Sequence, residues 1–152
     1  MKSNTLNSSI FRIAAILTAV IIATFGSSAV AQNAYTMRIT FDGYNRVGAN
    51  VLTNFPALVV FTNNVGGSSF SFSSQPFADQ QNAYDLRFYD EANNLLDYEI
   101  DTYTPGVELW AWVKVLKIKP DGSTFIRAVW GDPDDAEQQP STANGAVWSE
   151  NY

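Results

Sequence analysis

The chain has 152 residues, 46% hydrophobic and 14% aromatic, with 9 basic against 15 acidic side chains and neither Cys nor His. Lacking both residue types, it cannot carry Ser-His-Asp or Cys-His catalysis, a zinc site of ordinary composition or a His-ligated haem. Its acidic balance repels nucleic acid and anionic lipid.

The N-terminus reads as a secretory signal. Lys2 and Arg12 form a positive n-region, Ile13 to Phe25 an apolar h-region, and Ala29-Val30-Ala31 a small-x-small cleavage site. An uncleaved membrane anchor is the alternative, because no charge falls between Ile13 and Met37. Against it, the apolar run is shorter than the roughly 20 residues of a span. Ser27, Ser28, Gln32 and Asn33 also dilute it. No Cys follows, so a lipoprotein anchor is excluded. The expected plan is a signal peptide at 1–31, carrying a signal helix, and one domain at 32–152. Removing Lys2 and Arg12 leaves 7 basic and 15 acidic residues, a net of −8. Gln32–Tyr152, 121 residues, is enough for one core. An exported domain without cysteine relies on burial rather than disulfides.

Strands follow in order. Tyr35 to Phe41 alternates, with Tyr35, Met37, Ile39 and Phe41 on one face. Asn54 to Thr62 is a second strand. Pro56 is expected at its start, because proline cannot donate to a ladder. Ala57 to Phe61 is apolar on both faces, as in a strand covered on both sides. Asn63 to Ala83 is a long loop rich in Gly, Ser, Asn and Gln, with a short edge strand expected at Phe70–Phe72. Such a loop is either functional or a mobile connection pinned by aromatics.

Asp85–Tyr89 is the next strand, and Asp90 to Asn94 a turn of residues that bond their own backbone. Leu96, Tyr98 and Ile100 then alternate with Asp97, Glu99 and Asp101, which places three carboxylates on one strand face. Thr104-Pro105-Gly106 turns the chain. Glu108–Leu116 sets Trp110, Trp112 and Lys114 against Leu109, Ala111, Val113 and Val115. Apolar bulk on both faces marks it as a central strand. Lys119 to Ser123 is a turn, and Thr124–Trp130 the last strand. The expected fold is all-β: an antiparallel β-sandwich, jelly-roll or immunoglobulin-like, of about seven strands.

The ordered elements NFPALVVF, YDLRFYDEANNLLDYEID, ELWAWVKV, TFIRAVWGDPDDA and AVWSENY resemble the bacterial DUF2341 family over nearly all of the mature chain. The resemblance implies an exported domain found before LamG-type, concanavalin-like domains or upstream of MotA/TolQ/ExbB proton-channel domains. It supplies no catalytic residues. Members of the family usually continue past the position of Tyr152, so a domain truncated at its C-terminal end is expected. Asp132 stands where the family commonly has a Gly-Asn pair.

Three chemistries are open. Carbohydrate binding would use Trp110 and Trp112, two residues apart and so on one strand face. Glu99 and Tyr103 are added as nearby polar and aromatic partners. The competing reading makes both tryptophans core residues. A calcium site would use Asp132, Asp134 and Asp135, with Asp121 or a backbone carbonyl as a further ligand. The competing reading is a solvated acidic turn. Acid–base hydrolysis would use Asp97, Glu99 and Asp101, spaced about 6.5–7 Å apart along a strand, within the range glycosidases use. A solvent-facing polar face satisfies the same spacing. Arg87 or Lys114 is expected to pair with one of these acids across the sheet.

The sequence therefore reads as a secreted, non-enzymatic binding or adhesive module whose partner is a polysaccharide or a cell-envelope protein. It would meet the membrane only through the signal segment or a further downstream region. The alternatives are a periplasmic interaction domain of a MotA/TolQ/ExbB-type transport system, docking by an edge strand or the long loop, and a glycoside hydrolase-related domain.

Overall fold

The computed structural model describes residues 34–135 and 137–148. The expected signal peptide and cleavage site lie outside them. Among the described residues there are six strands: β1 (Tyr35–Thr40), β2 (Leu52–Thr62), β3 (Arg87–Tyr89), β4 (Tyr98–Thr104), β5 (Glu108–Ile118) and β6 (Phe125–Trp130). They form two three-stranded antiparallel sheets, ordered β1-β6-β3 and β2-β5-β4. No described helix is long and apolar enough to cross a membrane.

Alternation decides which side chains face inward. In β6, Ile126, Ala128 and Trp130 are buried, and in β5 so are Leu109, Ala111, Val113 and Val115. Phe61 of β2 joins the two sheets. Its ring lies 5.8 Å from Trp130 of β6 and 6.5 Å from Phe88 of β3, and also contacts Phe70 at 5.5 Å and Phe77 at 6.3 Å. Edge-to-face pairs at these distances add to the burial of large rings.

Three strand expectations are corrected. No strand forms at Phe70–Phe72, and among the described residues there are six strands where the sequence predicts about seven. Local acceptors replace a ladder there: Phe70 N–H donates to Ser68 Oγ, and Phe72 N–H to Asn63 Oδ1. The aromatics turn inward instead, Phe70, Phe72 and Phe77 all being buried. Pro56 sits within β2, opposite Lys114, not at its start. That is tolerated because β2 is an edge strand, where a missing N–H need not interrupt a ladder. Nor is β2 covered on both faces: Ala57, Val59 and Phe61 are buried, but Leu58 is 41% exposed.

The long loop is anchored by a carboxylate. Asp85 is 1% exposed and accepts three backbone N–H bonds: Ala78 at 2.9 Å, Asp79 at 3.0 Å and Gly131 at 2.6 Å. A buried carboxylate is tolerable when its lone pairs are satisfied in this way. Gly131, at the end of β6, has φ +92°, and a Cβ there would meet the Tyr35 ring at 2.7 Å. Close approach to β1 and positive φ both require glycine.

Arg87, two residues on, is equally buried and donates to backbone carbonyls of Tyr84, Leu86, Asp135 and Glu137. Its ion pair is with Asp135, at 3.9 Å, not with an acid of β4. Tyr98 hydroxyl donates to Leu86 carbonyl at 2.5 Å. Burial pushes the Tyr98 pKa up to about 12, a rise that the nearby Arg87 partly offsets.

Two expectations follow. Asp85→Asn keeps the volume but sets an amide N–H₂ against backbone donors, and should cost on the order of 3 kcal/mol. Urea unfolding checks this; a loss below about 0.5 kcal/mol would contradict the anchoring role. Tyr98 ionises near pH 10 when unfolded and near 12 when folded. Its contribution is therefore complete below pH 10 and lost between pH 10 and 12. Urea midpoints across that window should fall less in Tyr98→Phe than in the wild type.

Candidate functional site

The central strand β5 builds the site. Because Leu109, Ala111, Val113 and Val115 point inward, Trp110, Trp112, Lys114 and Leu116 point to the outer face of β2-β5-β4. The reading of Trp110 and Trp112 as core is thereby set aside. Val60 lies opposite Trp110 and Leu58 opposite Trp112 on β2. Thr102 lies opposite Trp110 and Glu99 opposite Trp112 on β4. A flat outer face thus carries two indoles flanked by apolar side chains on one edge and polar ones on the other.

A third indole joins them. The segment after β6 returns as short 3₁₀ turns at Pro140–Thr142 and Ala146–Trp148. Val147 is fully buried, which fixes the last turn, and Trp148 packs against Trp112 with ring centroids 5.3 Å apart at 59°. Lys114, on the same outer face, donates to Ala146 carbonyl at 3.3 Å and is 8% exposed. Trp112 is half-buried, whereas Trp110 is 38% and Trp148 44% exposed. The sequence pattern missed Trp148 as a site residue. Its only signal was the apolar Ala146-Val147-Trp148 run after a polar stretch.

Two carboxylates orient the rings. Trp110 Nε1 donates to Glu108 Oε2 at 2.9 Å, and Trp148 Nε1 to Glu99 Oε2 at 2.9 Å. The indole N–H groups of Trp110 and Trp148 are thus satisfied within the protein, leaving apolar ring surface to the solvent.

Glu99 and Tyr103, expected together, are separated. The β4 register shifts between Ile100 and Thr102, so Asp101 has no partner on β5. This bulge reverses the alternation. Glu99 and Thr102 face outward, while Tyr103 pairs opposite buried Leu109 and turns to the inner side. Tyr103 packs edge-on against Phe77 at 5.7 Å and donates to Gln80 carbonyl at 3.3 Å. It lines a cleft of about 340 Å³ beneath the long loop, with Asn63, Pro76 and Gly106. Burial, then the charges of Asp85 and Asp79, raise its pKa. Of the three acids expected on one strand face, Asp97 precedes β4, Glu99 pairs opposite Trp112, and Asp101 falls at the bulge, where it accepts from Thr102 Oγ1.

The acidic turn after β6 is engaged in its own structure. Asp132 Oδ1 accepts from Asp134 N–H at 3.0 Å, and Asp135 faces Arg87. Among the described residues, no three acidic side chains are grouped so as to hold a metal ion. Asp121 instead accepts from Ser123 N–H and Oγ.

No family model, curated protein or solved structure matches the chain.

Proposed function

We propose that this chain is an exported, non-catalytic binding module that holds a polysaccharide on the outer face of β2-β5-β4. Its architecture on this reading is a β-sandwich, with the two sheets face to face across the aromatic core around Phe61. The observation that carries the function is the aromatic platform: Trp110, Trp112 and Trp148 on one face, with Glu99 and Glu108 bonded to indole N–H groups.

The chemistry suits sugars. A pyranose presents apolar C–H faces that stack on indole and a rim of hydroxyls that donate to carboxylates. Flat, half-exposed rings on a rigid strand lose little side-chain entropy when a ligand settles on them. Leu58 and Val60 widen the apolar strip beside Trp110 and Trp112, so several sugar units of a chain can lie across it. The resemblance to DUF2341 domains found beside LamG-type modules points the same way, as does the leader-like N-terminus. The exposed ring of Trp110 offers about 100 Å² to a ligand, worth roughly 2–3 kcal/mol, or about 30- to 150-fold in affinity.

Affinity electrophoresis through gels containing xyloglucan, soluble cellulose derivatives or soluble peptidoglycan fragments tests the reading. At least one should retard the wild-type chain, and Trp110→Ala should weaken that retardation by at least tenfold while its melting temperature stays within about 3 °C. Wild-type mobility unchanged by every polysaccharide, or equal retardation of the variant, would overturn the proposal.

A further inference from the structure

The opposite face of the molecule carries a charge arrangement that the glycan platform does not use. On the outer side of β1-β6-β3, Arg38 of β1 and Arg127 of β6 are direct register partners. Like charges directly opposite each other across a strand pair destabilise the sheet. The arrangement stands in a chain with 15 acidic residues, so compensating carboxylates are abundant. Yet among the described residues neither arginine forms an ion pair. Arg127 donates to the Asn93 amide oxygen, a neutral acceptor. Glu91, which accepts from Phe125 N–H, pairs with Lys119 at 3.5 Å.

Both guanidinium groups are held on aromatic rings. Arg38 lies over Phe125, 3.7 Å from the ring centroid, and Arg127 over Tyr89 at 5.9 Å. Cation–π contact fixes a guanidinium without neutralising it. Arg127 gives one fork N–H to Asn93, and among the described residues no other acceptor takes its remaining N–H groups. Arg38 is exposed, and Thr36 and Thr40 flank it on the same face of β1. The third arginine on this face, Arg87, is covered and occupied by backbone carbonyls. It marks the contrast: one arginine is spent on the fold, two are kept charged and oriented.

We propose that Arg38 and Arg127 form an oxyanion-binding site that takes a carboxylate or sulfate group, with hydroxyls from Thr36 or Thr40 as auxiliary donors. The bound anion offsets the repulsion between the two guanidiniums, and planar forks favour oxyanions that accept two N–H bonds at once. The site lies on the sheet opposite the tryptophan face and does not depend on the glycan reading. Its anion comes either free from solution or carried on a polymer.

Titration of the full chain at constant ionic strength tests it, with three probes: sodium sulfate, dextran sulfate and neutral dextran. NMR shifts at the Arg38 and Arg127 side chains report binding directly. Saturable shifts with sulfate alone assign a free-anion site. Shifts with dextran sulfate at concentrations where sulfate has no effect assign a polymer-borne one. Arg38→Gln and Arg127→Gln should each weaken binding at least tenfold, while Trp110→Ala leaves it unchanged. Each glutamine variant loses a cation–π contact as well as a like-charge neighbour, so its melting temperature without anion should stay within about 4 °C of the wild type. Sulfate stabilises proteins generally, so the wild type must gain more melting temperature from sulfate than the variants do. Equal gains, shifts spread over the surface, or binding unchanged by both substitutions would overturn the site.

Discussion

The structure depends on one buried carboxylate. Asp85 gathers three backbone N–H groups from two places far apart in sequence, the loop at Ala78 and Asp79 and the end of β6 at Gly131. A carboxylate with so little solvent contact is stable only while those donors stay in place. The constraint therefore acts in both directions: the loop holds the charge, and the charge holds the loop. Arg87 does the complementary work for acceptors, collecting carbonyls from Tyr84 and Leu86 on one side and from Asp135 and Glu137 on the other. Two opposite charges, two residues apart, thus tie two irregular segments to one short strand.

That anchoring explains how a chain without disulfides closes its core. The loop delivers Phe70 and Phe77 to Phe61 and Trp130, and Phe72 packs against those two loop rings. Trp130 Nε1 donates back to Gln75 carbonyl, a second polar tie between the loop and β6. With the interior filled by loop aromatics, the tryptophans of β5 are not needed there. They remain on the outer face, where the returning C-terminal turns add Trp148 beside them. Glu108 orients Trp110 and Glu99 orients Trp148, which in turn packs on Trp112, so these carboxylates help shape the platform.

Strand positions were legible in the sequence because alternation reports burial directly. β1, β5 and β6 fall where the pattern places them, within a residue or two. What alternation cannot report is a break in its own rule. The bulge at Asp101 reverses the parity of β4, so Glu99 and Tyr103, on one face by counting, lie on opposite faces. The Phe70–Phe72 spacing resembles an edge strand, yet Ser68 and Asn63 side chains satisfy its backbone. Asp85 and Arg87 look like strand-surface charges; their burial follows from segments brought back from far along the chain. In the acidic turn after β6, Asp132 caps its own turn and Asp135 faces Arg87, roles that composition alone does not report. Trp148 was invisible as a platform residue because its partner, Trp112, is 36 positions away.

Native-state amide hydrogen exchange tests the central claim most directly. If the Asp85 carboxylate is what fixes the loop, the amides of Ala78, Asp79 and Gly131 exchange only on global unfolding, with the same protection as core amides of β5. In the Asp85→Asn variant the Ala78 and Asp79 amides lose that protection before β5 does. If these amides exchange at the rate of an open loop in the wild-type chain, the carboxylate does not hold the loop, and the account fails at its foundation.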